Sequence, residues 1–408
     1  MQIDSMIVDD QLAAFLRHDI SQRSPEIQAQ LKSVKYCCSR VIPVSNMQQG
    51  VVLLSNSERA LLSGIVTCDN LFCCPHCQGR WLIKHNDRIA VALDEMYKLG
   101  YRAIMATFTF PHLAFMSCRD GVKILAQMKK NFLKKQKGTI PQNFLDHFGI
   151  KHYVWCAEFT HSKRNGWHPH YHTIFWVEAD KFDEVGDWEQ KLKNSWLKSA
   201  HKYILQLLPK WKISIDKLFE QSDNSRGGVF FSKDNNGKVR EVTSSNYCLG
   251  WTTSKELTQL EHKTAAKGHY TTRQLLERGF KGHKESMNLY IEYCLAVKGV
   301  KPSIKRVQYS FGLVKKIRAW QQERKFKNIA VKKKESKPME AILWFTHEQW
   351  KYIYYETPYQ TISNILYLAR LPNHQILFDF LDNMNIAYNL PAANPLCKLI
   401  TDAYNDAA

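Results

Sequence analysis

The run Gly166-Trp167-His168-Pro169-His170-Tyr171-His172-Thr173-Ile174-Phe175-Trp176 constrains the fold more than any other stretch of the chain. Its β-branched and aromatic content predicts a strand over His170–Val177. A second strand is predicted over His152–Thr160, with the polar turn Ser162-Lys163-Arg164-Asn165-Gly166 between the two. Side chains alternate faces along a strand, so His170 and His172 share one face, one pleat apart. His168 has the same parity, but Pro169 cannot donate to a ladder, which places His168 at the strand entrance.

The neighbouring text extends this pair into a domain. Ala103–Phe110 reads as another strand. Gly121–Lys135 carries Val122, Ile124, Leu125, Met128 and Phe132 at helical spacing, and 183–208 is a long helical stretch. Val229–Val242 reads as a hairpin turning at Asn235-Asn236-Gly237, and Ser244 or Ser245 caps a helix through Tyr247 and Leu249. The order strand, helix, strand, strand, helix, hairpin, helix predicts an α+β fold whose central antiparallel sheet carries helices on one face. Around it lie an N-terminal region with a cysteine cluster (1–97), a basic helical and linker segment (301–335) and a C-terminal helical domain (336–408). The α+β domain itself takes 98–300.

Charge narrows the partner class. Lys and Arg number 57 against 38 Asp and Glu, a net charge of +19, which makes a polyanion, most often nucleic acid, the default ligand. A basic surface without a cognate ligand is the plain alternative. With 44% hydrophobic and 12% aromatic residues the chain is not disordered. It lacks the roughly 20 uninterrupted apolar residues of a membrane span. Met1-Gln2-Ile3-Asp4-Ser5 has no signal-peptide character, so a soluble cytoplasmic protein is expected.

Two metal sites are written in the residue types. Glu158, on the strand beside His170 and His172, would complete a mixed nitrogen and oxygen donor set. That set suits Mn²⁺ or Mg²⁺ with positions left for phosphate oxygens. Histidines hydrogen-bonded at a sheet surface are the simpler alternative. Six of the eleven cysteines fall between residues 37 and 77. The knuckle Cys74-Pro75-His76-Cys77, joined by Cys68 and by Cys37 or Cys38, is the usual way to assemble a structural Zn²⁺ site. Cys73, His76 and His85 are substitutes, and buried free thiols are the alternative. Arg80, Lys84 and Arg88 recur every four residues and could contact phosphates, or be solvated charges. The basic, aromatic-interleaved stretch Lys305–Lys334 offers the same choice.

Taken together, these motifs resemble the replication initiators of small rolling-circle plasmids, a branch of the HUH endonucleases. Thr107-Phe108-Thr109-Phe110-Pro111-His112 is similar to the family's first motif. Glu158-Phe159-Thr160 with Gly166–His172 resembles the second, and Asn246-Tyr247-Cys248-Leu249-Gly250-Trp251 with Lys255-Glu256-Leu257-Thr258 and Gln274-Leu275-Leu276 resembles the third. Tyr309-Ser310-Phe311-Gly312-Leu313 fits the closing segment, so the resemblance runs in order over about residues 36–320.

The resemblance implies a ferredoxin-like nuclease domain and a nucleophilic Tyr247 that forms a covalent 5′-phosphotyrosine at an origin hairpin. It also implies a free 3′-hydroxyl for a host polymerase, assisted by a host helicase. The family's lysine three residues after the tyrosine is replaced by Gly250, leaving Lys238, Arg240 or Lys255 to supply that charge. Some members use a glutamate before the tyrosine, and Glu241 is the nearest carboxylate. Related initiators carry a cysteine cluster ahead of the nuclease domain. A rolling-circle transposase, a non-catalytic zinc-containing DNA-binding protein and a zinc hydrolase using water are the competing readings. No second tyrosine lies one turn from Tyr247, which separates this chain from two-tyrosine transposases.

Overall fold

In the computed structural model, residues 2–42, 50–56, 60–111, 114–209, 211–225, 227–244, 268–332 and 338–407 are described. Tyr247, Gly250 and Lys255 lie outside them. Two compact units emerge, Met1–Trp81 with Lys327–Ala408 and Leu82–Phe326. Pairing of the segments 50–55 and 340–346 brings the N- and C-terminal regions into one unit. Strands among the described residues are β1 (Gly50–Ser55), β2 (Ala60–Ser63), β3 (Tyr101–Phe108), β4 (Tyr153–Ser162), β5 (Gly166–Glu178), β6 (Val229–Phe231), β7 (His269–Thr271), β8 (Val307–Tyr309) and β9 (Glu340–Thr346).

In the second unit the order is β6-β3-β5-β4-β7, with β8 also on β4, and every pairing is antiparallel. The hairpin β4–β5 is its spine. Gly166 closes its turn at φ +69°, and a Cβ there would stand 2.7 Å from the Ala114 carbonyl oxygen, so only glycine fits without strain. β5 begins earlier than expected, with His168 and Pro169 inside it. Proline is tolerated because β3 ends at Phe108, opposite Tyr171, and leaves that edge of β5 open.

Helices cover both faces of this sheet, which corrects the expectation of one. On one face Phe108 packs against Phe132, Trp155 and Trp196 with ring centroids 5.1, 4.7 and 4.9 Å apart. Phe132 ends the helix Cys118–Phe132, whose N-cap Ser117 accepts from the Asp120 amide, and Trp196 belongs to the helix Glu189–Leu207. On the other face Met105, Val154, Ile174 and Trp176 are buried under Ile89, Leu93 and Met96 of the helix Pro75–Lys98 and Leu313 and Ile317 of the helix Leu313–Lys332. The reason lies in β5. Its histidine-bearing face turns apolar at Ile174 and Trp176, and that half must be kept from water. The polar half, with His170 and His172, is what remains for chemistry.

In the first unit β1 is the centre of the sheet β2-β1-β9 and is buried along its whole length. The C-terminal region is therefore not purely helical. β9 supplies Trp344, which packs with Val52, Leu54, Met339 and Leu396. The apolar run Ile342-Leu343-Trp344-Phe345 has a partner edge on β1, so pairing wins over helix formation there.

Candidate metal centres

The β4–β5 register sets Glu158 directly opposite His170 and Cys156 opposite His172. Glu158, His170 and His172 project from the polar half of one face and are only 4, 6 and 6% exposed. Glu158 Oε2 lies 2.8 Å from His170 Nε2 and 2.9 Å from His172 Nε2. Burial pushes the Glu158 carboxyl up, but the two imidazoles outweigh it and hold the group well below the usual carboxylate range.

The other imidazole nitrogens are tied back. His170 Nδ1 lies 3.2 Å from the His168 carbonyl oxygen, an acceptor, so an Nδ1 proton has a partner there in the tautomer that would free Nε2 for an ion. His172 Nδ1 meets Thr107 Oγ1 at 3.1 Å. Lone pairs that converge on one point repel unless a proton or a cation sits among them. Ligands about 2.1 Å from an octahedral ion stand about 3.0 Å apart when adjacent, close to the 2.8 and 2.9 Å found here. The group could therefore hold a divalent ion.

Cys156, on the same face, is not part of the group. Burial pushes its thiol up to about 12, keeping it neutral. His168 stacks on His170 at 4.9 Å and contacts Thr109 Oγ1 at 2.7 Å, so it buttresses the pair. The positioning roles of Thr107 and Thr109 are not legible in the sequence: the β3–β5 register sets Thr107 opposite His172, and Thr109 Oγ1 reaches His168 just past the end of β3.

The second centre lies in the other unit. Cys37, Cys68, Cys74 and Cys77 place their sulfurs within 4.8 Å of one another. Cys37 Sγ stands 3.6 Å from the sulfurs of Cys74 and Cys77, and Cys68 Sγ is 3.5 Å from Cys77. Zinc–sulfur bonds of about 2.3 Å in a tetrahedron require sulfurs roughly 3.8 Å apart, whereas a disulfide needs about 2.05 Å. The spacing fits a metal centre. Cys77 sits in the first turn of the helix Pro75–Lys98, where the amide dipoles favour a thiolate. Hydrogen bonds from its neighbours, Cys38 foremost, hold the Cys37 thiol low, and the bonds with Cys37 push Cys68 and Cys74 up.

The fourth sulfur of this group is that of Cys37, and Cys38 is not part of it. Cys38 adopts φ +68°, and its carbonyl oxygen accepts from Trp350 Nε1 at 2.9 Å. His76 Nδ1 meets Asp10 at 2.5 Å and His85 Nδ1 meets the Tyr309 hydroxyl at 2.8 Å, and Cys73 is not among the four grouped cysteines.

Among the described residues, Glu241, Lys238, Arg240 and Arg88 are placed as follows. Glu241 bridges to Ile104 and pairs with Arg102 at 3.4 Å, so it lies three residues, about 10 Å, along β3 from the Thr107–His172 row. Burial raises its carboxyl. Lys238 is exposed in the β6 hairpin loop, and Arg240 is half-buried beside it. Lys84 is exposed but Arg88 is buried. A row of every fourth residue winds around a helix by about 40° per step, which turns Arg88 away from the surface. For Arg80 only the helical backbone is described.

Among curated proteins the chain is similar to "Protein rep" of Streptomyces lividans, 21% identical over 269 residues, a match covering 56% of this chain and 56% of that protein. The chain thus spans little more than half the length of this relative. No family model and no solved structure matches it. Among the described residues no helix is long and apolar enough to cross a membrane.

Proposed function

We propose that the chain is a plasmid replication initiator that nicks one DNA strand at an origin hairpin and carries the end as a covalent 5′-phosphotyrosine. The observation that supports this most is the convergence of Glu158, His170 and His172 on one point. The similarity to a protein named rep and the charge of +19 agree with it. Mn²⁺ or Mg²⁺ held there would polarise the scissile phosphate and offset the charge that builds on it.

The residues of the chain divide the remaining work. Glu158 and the two Nε2 atoms hold the ion, while Thr107 and the His168 carbonyl keep the imidazoles aimed. Tyr247 is the proposed nucleophile. Its oxygen bonds to phosphorus as the bond to the 3′ oxygen breaks; the phenolic proton leaves to solvent or a base, and the departing oxygen is protonated to a 3′-hydroxyl. One phosphodiester replaces another, so rejoining needs no ATP. The hydroxyl would then prime a host polymerase in the bacterial cytoplasm, with a host helicase opening the duplex. Lys238, Arg240 and Lys255 remain the proposed replacements for the charge absent at Gly250, and Arg80 and Lys84 remain proposed backbone contacts. The Cys37, Cys68, Cys74 and Cys77 cluster is proposed to hold structural Zn²⁺.

The test uses purified protein, Mn²⁺ and a randomised pool of single-stranded hairpins on a denaturing gel, beside Tyr247→Phe. A protease-sensitive adduct that vanishes in the variant is expected. Cleavage without an adduct would mean water is the nucleophile, and binding without cleavage would leave a DNA-binding protein. Either result overturns the nickase reading.

A further inference from the structure

In the first unit, the helix Gln2–Ser21 presents Ala14, Arg17, His18 and Ser21 along one stripe toward the segment 353–362 and the turn at Lys35 and Tyr36. Between them lies a cleft of about 430 Å³, within the roughly 300–1,000 Å³ that accommodates a nucleotide-sized ligand. Its walls are unusual in two respects. Four are tyrosines (Tyr36, Tyr354, Tyr355 and Tyr359), and the ionisable remainder is Arg17, His18 and Lys35, with no carboxylate among the lining residues.

The aromatic and cationic groups are already interleaved. Arg17 lies over the Tyr354 ring at 5.4 Å, Lys35 over Tyr36 at 5.2 Å, and His18 stacks on Tyr359 at 5.6 Å. Tyr355 is 52% exposed, a large planar face left to solvent at the rim. The floor is fixed rather than loose: the Tyr354 hydroxyl shares its one proton between the carbonyl oxygens of Lys35 and Cys37 at 2.9 and 3.0 Å, which fastens the cleft to the cysteine centre.

Planar faces with cations between them and no anion suit a ligand that is flat and negatively charged. Duplex DNA hides its base faces, whereas an unpaired strand offers them every few ångströms with a phosphate between. We propose that this cleft binds unpaired nucleotides of single-stranded DNA, the bases stacking on Tyr355 and Tyr359 and the phosphates meeting Arg17 and Lys35. The site is separate in residues from Glu158, His170 and His172. Choosing DNA over RNA rests on the nickase reading; the choice of an unpaired strand does not.

The experiment uses the full-length protein, a mixed-sequence single strand of DNA carrying 5-iododeoxyuridine, the matching duplex and the matching RNA. Affinity is read by fluorescence anisotropy and contact by photocrosslinking with peptide mapping, while nicking is assayed separately on hairpins. Tyr355→Ala with Lys35→Gln should weaken single-strand binding by about tenfold and leave duplex binding within about twofold, and Tyr355→Phe alone should retain affinity. Crosslinks should fall on Tyr355 or Tyr359. Unchanged single-strand affinity, an equal loss on the duplex, or crosslinks confined to 82–326 overturns the proposal. RNA that binds more tightly and loses as much overturns the assignment to DNA. Failure of nicking alone, with these losses and crosslinks present, overturns the catalytic reading and upholds the cleft.

Discussion

Glu158 faces His170 directly across the β4–β5 ladder, with its Oε2 2.8 Å from the imidazole Nε2. His172 joins the same oxygen from one pleat further on. Because neither partner can leave the ladder without breaking it, the donor set is held ready before any ion arrives, which lowers the cost of binding one.

Glu158→Gln tests this arrangement most sharply. The amide keeps the shape but removes the anion, so Mn²⁺ affinity should fall by at least about tenfold and metal-dependent nicking with it. Titration calorimetry or Mn²⁺ electron paramagnetic resonance reads the affinity. Affinity equal to wild type would remove Glu158 from the ligand set.

The cysteine centre should behave as a structural one. Cys77→Ser, or treatment with a strong chelator, should release about one zinc ion per chain by elemental analysis and lower the thermal midpoint. Selective loss of catalysis in a variant whose stability and zinc content are unchanged would contradict a structural role.

The sequence carried the histidine–carboxylate site because strand parity and a single polar turn specify it: His170, His172 and Glu158 needed only the register of one hairpin. The cysteine set was legible for the same reason, a short CxxC knuckle, and only the choice of Cys37 over Cys38 required the backbone to be seen. Long-range pairing was not legible. Nothing local in Glu340–Thr346 announces that it meets Gly50–Ser55, which is why the C-terminal region reads as helical. The second helical layer was hidden as well, since Ile174 and Trp176 show that their face is covered without showing by what. Arg88 shows the limit of counting in fours along a helix: spacing found the stripe, and burial took one member out of it.

His85 should make the second unit acid-sensitive. It is buried against Tyr309, and burial, with the charges of Arg88 and Lys84, lowers its pKa to about 4 from the ordinary 6.5. The unfolded chain binds a proton on this side chain as pH falls below 6.5, while the folded chain does not until about 4. Stability is therefore lost as pH drops through that window and is regained above it. Denaturant melts of the wild type and His85→Gln at pH 4.5 and 7.5 should show a smaller acid loss in the variant. An identical loss in both proteins would exclude His85 as a source.

Lys129 should act at the alkaline end. Its ammonium is buried, donates to Gln308 Oε1 at 2.6 Å and lies 4.8 Å from the centre of the Tyr171 ring, without a carboxylate partner among its described hydrogen bonds and ion pairs. Burial lowers its pKa to about 8 from 10.5. Between those values the unfolded chain holds a proton that the folded chain has released, so this group makes stability rise with pH from about 8 to 10.5. Below pH 8 the full cost of the buried charge is felt, of the order of 3 kcal/mol before Gln308 and the ring offset it. Lys129→Met keeps the length and removes the charge. It should raise the melting midpoint at pH 7 and flatten the alkaline rise, both read from thermal melts across pH 7 to 10. A variant less stable than wild type at pH 7, with the rise intact, would mean that the contacts of Lys129 outweigh the cost of its burial.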